Sequence, residues 1–267
     1  MRLATWNINS VRARLAHVEQ FVAEHQPDIL CLQETKVSDN DFPLKTFTKL
    51  GFEHYLIAGQ KSYNGVAIFS RVPITPAETR IWCGRDDKRH LAVTLENGIE
   101  LHNFYVPAGG DIPDITLNDK FAHKLTFMTE MSDWFAARRA DDKRMILVGD
   151  LNVAPLESDV WNHKQLLNVV SHTPIEVEHM ARMFQSHDWV DAMRHFTPEP
   201  EPLYSWWSYR ARDWRASNRG RRLDHVWVTP PLKPHLKAMQ VAMAARDWEK
   251  PSDHAPVIVD FDFTAQG

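Results

Sequence analysis

Apolar residues repeat along this chain at two spacings, one typical of amphipathic helices and the other of buried strands. One helix face is marked by Val11, Leu15, Val18 and Val22. Ser10 precedes that face and is a candidate N-cap. A longer helix face is marked by Phe121, Leu125, Met128 and Phe135. Apolar runs predict strands at 3–7, 28–33, 64–70, 91–95, 99–106, 145–148, 204–209, 223–229, 238–244 and 256–263.

The order of these elements predicts an α/β fold with mixed sheets. Asn97-Gly98 separates two predicted strands and is a strong hairpin signal, which places those strands side by side and antiparallel. Other strands are joined through helices, with the helices packed outside the sheets. A purely parallel doubly wound sheet fits this mixture poorly. Because no repeat, low-complexity tract or linker interrupts the sequence, we expect one catalytic domain spanning 1–267.

Composition and charge narrow the class of protein. The hydrophobic share of 43% and the charged share of 25% are ordinary for a soluble globular chain. The net charge of −4 argues against nucleic-acid binding over the whole surface, so any DNA-binding surface must be a local basic patch. The first residues lack the apolar core of a secretion signal, and no apolar stretch is long enough to cross a membrane. We expect a cytoplasmic monomer without a membrane partner, associated with the nucleoid if the source is bacterial.

Polar residues gather where predicted strands end or begin. They are Asn7 after the first strand, Glu34 after the second, Asp150 and Asn152 after the central one, and Asp253 and His254 before the last. Strand ends on one edge of a sheet converge, and carboxylate and amide oxygens there suit Mg²⁺, while an imidazole can handle protons. Taken singly, each residue is more often a turn residue or a helix cap. Spacing alone therefore supports only a weak hypothesis of a metal-dependent hydrolase.

A basic and aromatic segment occupies residues 204–222, with the sequence YSWWSYRARDWRASNRGRR. Its six arginines are Arg210, Arg212, Arg215, Arg219, Arg221 and Arg222. Arginines neutralise phosphates, and the interleaved rings can stack on bases or on an exposed sugar. Alternate aromatic residues such as Tyr204 and Trp206 could instead face a protein core. The density of positive charge favours DNA contact for the segment as a whole.

Six short blocks resemble the signature blocks of the exonuclease III family of abasic-site nucleases and occur in the family's order. They lie at 4–9, 32–36, 105–107, 149–155, 220–224 and 252–256. The resemblance implies a DNase I-like four-layer α/β sandwich, in which two mixed sheets pack face to face with helices on both outer sides. It also implies a Mg²⁺-dependent DNA repair phosphodiesterase, with Mn²⁺ as a substitute cofactor and abasic or nicked double-stranded DNA as the partner. The expected reactions are hydrolysis 5′ to an abasic site leaving a 3′-hydroxyl, 3′→5′ exonuclease action and 3′-end trimming.

The resemblance also implies residue roles. The metal ligands would be Asn7, Glu34 and Asp253, with Asp150, Asn152 and His254 as further candidates. The catalytic residues would be Tyr105, Asp150, Asn152, Asp224 and His254. The DNA-binding residues would be Trp206, Trp207, Arg210, Arg212, Trp214, Arg219, Arg221 and Leu223. Of these, Trp206, Trp207 and Leu223 would line a pocket for an abasic nucleotide turned out of the duplex.

Two departures and two alternatives stay open at this point. Arg221 stands where better-known relatives carry Leu or Trp, and Ser208 replaces an acidic residue found in some of them. A phosphodiesterase of the same fold could act on a lipid or inositol phosphate, and a catalytically silent DNA-binding protein is the other alternative. Such lipid and inositol enzymes typically carry a second catalytic histidine after the strand that here ends at Tyr105, so Tyr105 favours the DNA-repair branch. The general base, the number of metal ions and the balance between incision and exonuclease action are left open.

Overall fold

The fold combines fourteen strands and seven α-helices within residues 1–140 and 142–264, the part of the chain that this computed structural model describes. The strands are β1 (Arg2–Asn7), β2 (Ile29–Gln33), β3 (His54–Gln60), β4 (Tyr63–Ser70), β5 (Ile74–Pro76), β6 (His90–Leu95), β7 (Glu100–Tyr105), β8 (Met145–Asp150), β9 (Val190–Asp191), β10 (Trp206–Trp207), β11 (Gly220–Arg221), β12 (Asp224–Val228), β13 (Leu236–Val241) and β14 (Val257–Phe261). The helices are α1 (Leu15–His25), α2 (Leu44–Lys49), α3 (Asp119–Ala137), α4 (His163–Leu166), α5 (Pro174–Gln185), α6 (Ala192–Phe196) and α7 (Trp214–Ser217). Single 3₁₀ turns occupy Asp39–Asp41, Glu157–Asp159, Pro230–His235 and Met243–Asp247.

Two six-stranded sheets form the centre of the structure. One has the strand order β13-β14-β1-β2-β4-β3, and the other has the order β5-β6-β7-β8-β12-β9. Each contains one parallel pair, β1 with β2 and β7 with β8, among antiparallel neighbours. Both sheets are therefore mixed, as the sequence predicts, and the Asn97-Gly98 hairpin between β6 and β7 is confirmed.

Side-chain alternation along the strands separates the layers. In β2, Ile29 and Cys31 belong to the cluster between the two sheets, whereas Leu30 and Leu32 pack in the cluster beneath α1 and α2. In the second sheet, Phe104 lies in a third cluster, against α3 and α5. Helices thus cover both outer faces, and the four-layer α/β sandwich is confirmed. Full burial of each such side chain contributes about 1.5–3 kcal/mol, so a continuous inner layer holds the sheets together.

Helix α3 follows the apolar face that the sequence marks. Asn118 caps its N-terminus by accepting a hydrogen bond from the backbone N–H of Lys120. Phe121, Leu125 and Met128 are buried; Met128 packs against the second sheet, and Phe121 and Leu125 pack against Val170. Within the described residues no helix is long and apolar enough to cross a membrane.

The first helix begins later than the sequence predicts. Ser10 does not cap it, because residues 8–11 continue beside the end of β2, where the Ser10 N–H donates to the Glu34 carbonyl at 2.8 Å. Ser10 also has a φ of +89°, and α1 starts only at Leu15, with Arg14 in the N-cap position. The prediction at Ser10 is wrong because a non-local strand contact competes with local capping.

Several late elements are shorter than predicted. Only Trp206–Trp207 of the predicted strand 204–209 forms a strand, since the following residues turn toward α7. β13 ends at Val241, and the rest of the predicted strand 238–244 leads into the 3₁₀ turn Met243–Asp247. Strand β3 and helix α5 were not predicted. The half-buried residues of β3 give a weak periodic signal. Helix α5 was missed although its apolar residues recur at helical spacing and Thr173 forms a capping box with Glu176.

Candidate active site

The predicted catalytic residues lie where strands of the two sheets end. Asn7 is the last residue of β1, Tyr105 of β7 and Asp150 of β8. In the sheet register Asp150 stands opposite Tyr105 on one side and opposite Asp224 on the other. Glu34 directly follows β2. Side chains from four strands are thereby delivered to one edge of the sandwich.

Asn7 joins the two carboxylates nearest to it. Its buried Nδ2 donates to Glu34 Oε1 at 3.0 Å and to Asp150 Oδ2 at 2.8 Å. Its Oδ1 accepts the backbone N–H of Asn9 at 3.1 Å. One amide therefore holds two anionic groups from different sheets at a fixed separation.

Glu34 is surrounded by donors. Tyr105 Oη donates to Glu34 Oε1 at 2.7 Å, and Lys36 Nζ lies 2.8 Å from Glu34 Oε2. Burial by itself raises the pKa of Glu34, but Lys36 and the hydrogen bonds outweigh burial and hold it below its ordinary value. Burial and the neighbouring Glu34 charge raise the pKa of Tyr105 well above its ordinary value. Glu34 is therefore the carboxylate and Tyr105 the protonated phenol of this pair.

Asp224 and His254 form a buried carboxylate–imidazole pair. His254 Nδ1–H donates to Asp224 Oδ2 at 2.8 Å, and the other ring nitrogen, Nε2, lies 3.6 Å from Asp150 Oδ2. Ser205 Oγ donates to Asp224 Oδ2 at 2.6 Å and so fixes the carboxylate. Burial lowers the pKa of His254, but the charges of Asp224 and Asp150 outweigh it and raise the pKa to about 10. The Nε2–H of this ring is therefore directed at Asp150.

Asp150 is the most crowded acid of the site. Burial raises its pKa to about 7; the charges of Asp224 and Glu34 add to the rise, while His254 opposes it. Asn152 donates its backbone N–H to Asp150 Oδ1 at 3.0 Å and its Nδ2–H to the Val106 carbonyl at 2.9 Å. Asn152 has a φ of +54°, the left-handed region that Asn tolerates better than most residues. This turn places the Asn152 amide beside Asp150.

Asp253 approaches from the other side of the site. Its Oδ1 accepts Asn9 Nδ2 at 3.0 Å, and its Oδ2 accepts Trp206 Nε1 at 2.9 Å. Asn9 Oδ1 in turn accepts Lys36 Nζ at 2.6 Å, so Asp253 connects to the Glu34 group through Asn9 and Lys36. Ser252 Oγ donates to the Asn7 carbonyl at 2.6 Å and ties this loop to β1.

The donor set fits a hard divalent cation. Ligand atoms of Asp150, Asp224 and His254 all lie within 4.8 Å of one another, and Asn7 binds both Asp150 and Glu34. Mg²⁺ prefers carboxylate and amide oxygens of this kind. Burial is the main cause of the raised pKa of Asp150, and the charges of Asp224 and Glu34 add to it, so a cation at this position would offset their repulsion. Glu34, Asn7 and Asp150 are accordingly the residues that would hold the ion.

A cleft of about 760 Å³ opens above these residues. Glu34, Asp150 and His254 lie in its lining. Its walls carry most of the predicted DNA-binding residues, namely Trp206, Trp207, Arg210, Arg219, Arg221 and Leu223. Gly110 and Asp111, from the loop after β7, line it as well. The site is open to a long substrate.

Two predicted DNA-binding residues lie outside the cleft lining. Arg212 is exposed on the surface beyond it. Trp214 packs edge-on against Trp207, with ring centroids 5.0 Å apart, and so supports the wall from behind.

Two of the six arginines in residues 204–222 are occupied by acidic partners within the protein. Arg222 is buried; its Nε lies 2.7 Å from Asp159 Oδ1 and its Nη1 lies 2.6 Å from Asp191 Oδ2. Arg215 is exposed and pairs with Asp247. The expectation that the whole cluster contacts DNA is therefore wrong for Arg222, because its side chain is buried and paired with the carboxylates of Asp159 and Asp191.

Three residues outside the predicted roles help to build the site: Asn9, Lys36 and Ser205. Lys36 belongs to the block 32–36, so its place beside Glu34 could have been inferred from the sequence. No sequence pattern indicated a role for Ser205, because its contact with Asp224 joins residues 19 positions apart. Two further histidines are buried and have partners within the protein: His102 bonds Glu100, and His225 bonds the Val153 carbonyl at 2.8 Å.

Comparisons with known proteins agree with this arrangement. The profile of the endonuclease/exonuclease/phosphatase family matches residues 4–254. Exodeoxyribonuclease III of Haemophilus influenzae is 30% identical over 98% of this chain and 100% of its own length. An AP endonuclease structure from Archaeoglobus fulgidus has 31% identity and a TM-score of 0.89, covering 98% of this chain and 99% of that one. A 3′ phosphatase structure from Neisseria, bound to a product DNA hairpin, has 30% identity and a TM-score of 0.88, covering 98% of this chain and 100% of that one.

The profile match begins with the first of the six blocks and ends at His254, inside the last one, and the Haemophilus influenzae relative aligns over nearly the whole chain. Asn7, Glu34, Asp150 and His254 all fall within the residues that the profile matches. This chain belongs to the endonuclease/exonuclease/phosphatase family and is similar, within it, to exodeoxyribonuclease III and the AP endonucleases.

Proposed function

We propose that this protein is a metal-dependent DNA repair phosphodiesterase that hydrolyses the backbone 5′ to abasic sites and leaves a 3′-hydroxyl. It also removes nucleotides and blocking groups from 3′ ends of double-stranded DNA. The observation that carries the proposal is the convergence of Asn7, Glu34, Asp150 and His254 at a cleft whose walls are basic and aromatic. Its relatives are exodeoxyribonucleases and AP endonucleases, and one neighbour was solved with a DNA product.

The chemistry follows from the arrangement of these side chains. A bound Mg²⁺, or Mn²⁺ in its place, supplies Lewis-acid polarisation of the attacked phosphate. Asp150 and the Nε2–H of His254 lie side by side, so one can accept a proton from water while the other stabilises the charge on the phosphate. Asp224 keeps the His254 ring in one orientation. Asn152 and Tyr105 lie beside these acids to orient the phosphate.

DNA is the substrate class that the cleft walls favour. Arg210 and Arg219 line the cleft and can neutralise phosphates on both sides of the scissile bond. Arg219 also stacks over the ring of Trp161, with its guanidinium carbon 4.7 Å from the ring centroid. Trp206, Trp207 and Leu223 provide an apolar wall for a baseless sugar. We infer that Arg212, outside the cleft, contacts the strand farther away. A cytoplasmic, nucleoid-associated monomer stays a prediction.

A phosphodiesterase for lipid or inositol phosphates is the second candidate, but these walls do not favour it. Several arginines and stacked indole rings suit a polyanionic strand better than one small headgroup. A silent DNA-binding protein is also disfavoured, since each catalytic position keeps its acid, amide or imidazole.

One experiment separates these functions. A duplex with one abasic site, labelled at the 5′ end of the damaged strand, is incubated with the protein and Mg²⁺, with and without EDTA. A soluble phosphodiester of inositol is assayed in parallel. We expect a labelled product that ends in a 3′-hydroxyl immediately before the abasic site, and no product with EDTA. Cleavage of the inositol diester alone, or tight DNA binding without cleavage, would contradict the proposal.

A further inference from the structure

Arg221 is a cationic side chain on the cleft wall that lacks an acidic partner among the described residues. Its Nη1 donates to the Val170 carbonyl at 3.0 Å and to Ser171 Oγ at 2.8 Å. No carboxylate oxygen of the described chain lies within 4.0 Å of its guanidinium. Its Nε is buried without any hydrogen-bond partner. Both contacts of Nη1 are neutral, and Glu176, the acid whose charge favours the cation, lies beyond ion-pair distance, so Arg221 has no direct counter-ion among the described residues.

The neighbouring Arg222 is a buried guanidinium that does have acidic partners, in contrast to Arg221. Arg222 pairs with the carboxylates of Asp159 and Asp191. A partly buried charge without such a partner costs free energy in the free protein, and an anionic ligand can recover that cost on binding. Burial lowers the pKa of Arg221, yet a guanidinium keeps its proton in proteins. Arg221 is therefore a preformed cation in the cleft.

Arg221 is connected to the reaction centre through the side chain of Trp206. Its guanidinium carbon lies 5.2 Å from the ring centroid of Trp206. The indole N–H of Trp206 donates to Asp253 at 2.9 Å, and the backbone of Trp206 bridges to His254. One aromatic ring thus separates Arg221 from the Asp253–His254 segment. Arg221 also lines the same cleft as Leu223, on the wall expected to receive the nucleotide after the cleaved bond.

We propose that Arg221 is a receptor for the terminal oxygens of a phosphate monoester at a DNA 3′ end, and that it makes the cleft prefer such ends over internal abasic sites. The inference rests on the proposed function and names its preferred substrate. At an internal abasic site, a sugar follows the attacked phosphate, and this uncharged group would lie against an unpaired guanidinium. At a 3′-phosphate no sugar follows, and anionic oxygens take its place. The planar fork of an arginine suits phosphate oxygens and forms charge-assisted hydrogen bonds with them.

Two substrates test the preference. One is a nicked hairpin carrying a 3′-phosphate at the nick, and the other is the same hairpin, intact, with an internal tetrahydrofuran abasic analogue. We measure kcat/KM on both for the wild type, Arg221→Leu and Arg221→Lys. Arg221→Leu should lower kcat/KM on the 3′-phosphate at least tenfold more than it lowers kcat/KM on the abasic substrate. Arg221→Lys keeps the charge and should retain an intermediate preference.

The matched control is Arg212→Leu, which removes an exposed arginine of the same segment outside the cleft lining. It should lower both activities in parallel. If Arg221→Leu also lowers both equally, Arg221 is a general DNA contact and the inference is wrong. Failure of the wild type to cut either substrate would instead overturn the proposed function.

A binding measurement decides the case if Arg221→Leu does not fold. In an Asp150→Asn background, which prevents turnover, the affinity for the hairpin with a 3′-phosphate is compared with that for a 3′-hydroxyl. We expect at least tenfold tighter binding of the phosphate and a smaller ratio when Arg221→Lys is added. Equal affinities for the two ends would overturn the inference.

Discussion

The side chains of Lys124 and Glu176 form an ion pair that is wholly buried between α3 and α5. Lys124 Nζ also donates to the carbonyl of Asn152 at 2.7 Å and to that of Ala108 at 3.3 Å. Glu176 in turn accepts the backbone N–H of Ser171 at 2.9 Å. The pair therefore fastens two helices to the strained turn at Asn152 and to the loop at the cleft.

Removing the cation of this pair should destabilise the protein and slow catalysis together. Lys124→Met leaves the buried Glu176 carboxylate without its cationic partner, with only neutral donors from Ser171 and Thr173, which typically costs about 3–5 kcal/mol in the free energy of unfolding. The Asn152 turn loses its anchor, so kcat on abasic DNA should fall while KM changes little. Urea unfolding and steady-state kinetics measure the two effects.

The control for this prediction lies on the same helix. Lys120 is exposed, and Lys120→Met should change the free energy of unfolding by less than about 0.5 kcal/mol. Adding Glu176→Gln to Lys124→Met should restore part of the lost stability, because no unpaired charge remains. A Lys124→Met protein as stable as the wild type would show that the pair contributes nothing.

Asp150→Asn should abolish nicking of abasic DNA without abolishing DNA binding. The amide keeps the shape of the side chain but cannot accept the proton that the carboxylate can, a contribution of roughly 10²–10⁴-fold in rate. Single-turnover cleavage and a binding titration in EDTA separate the two effects. Asp133→Asn, at an exposed residue of α3, should behave as the wild type. Retained nicking by the Asp150 variant would remove Asp150 from the mechanism.

Glu34→Ala should raise the requirement for Mg²⁺. Glu34 accepts hydrogen bonds from Asn7 and Tyr105 and carries the carboxylate best placed to hold the ion. We expect the Mg²⁺ concentration for half-maximal activity to rise at least about tenfold, the range seen when support around a metal is lost. Glu53→Ala, at an exposed acid outside the cleft, is the control. An unchanged metal titration would exclude Glu34 as a ligand.

The candidate catalytic groups could be picked out from the sequence because each belongs to a short block at a strand end. Asn7 and Asp150 end strands that local apolar runs reveal, and the blocks around them resemble a known family. The mixed sheets followed from the Asn97-Gly98 hairpin and the helical crossovers, which are also local signals. Local patterns therefore predicted the mixed sheets, whereas the four-layer fold and the roles of the main acids were implied by the family resemblance.

The supporting contacts could not be predicted, because they join distant residues. Lys124 lies between apolar residues of a helix face, but its partner Glu176 is 52 positions away. Arg221 and Arg222 are adjacent in sequence, yet only Arg222 finds carboxylates, at Asp159 and Asp191, which lie 63 and 31 positions away. Two neighbouring arginines thus have different roles for reasons that only the tertiary structure contains.

Acidification should destabilise the protein partly through Asp159. Burial raises the pKa of Asp159, but the charges and hydrogen bonds of Arg222 and Arg194 outweigh burial and hold it below its ordinary value. A carboxyl with a lowered pKa contributes stability above its unfolded pKa, about 3.9, and loses it as the pH falls through the folded value. The contribution is therefore complete at pH 7 and disappears in strong acid.

Comparison with Asp159→Asn isolates this contribution from that of other acids. At pH 7 the variant should be less stable, by about 3 kcal/mol, since Arg222 keeps only Asp191 and Arg194 loses its partner. Urea unfolding at pH 7, 5 and 3 should show a constant gap between the two proteins from pH 7 to 5 and a smaller gap at pH 3. Asp133→Asn, at an exposed carboxylate, should differ little from the wild type at any pH. If the difference in free energy of unfolding between Asp159→Asn and the wild type stays the same down to pH 3, the Asp159 charge does not stabilise the fold. The lower stability of the variant at neutral pH would then come from altered packing or hydrogen bonding alone.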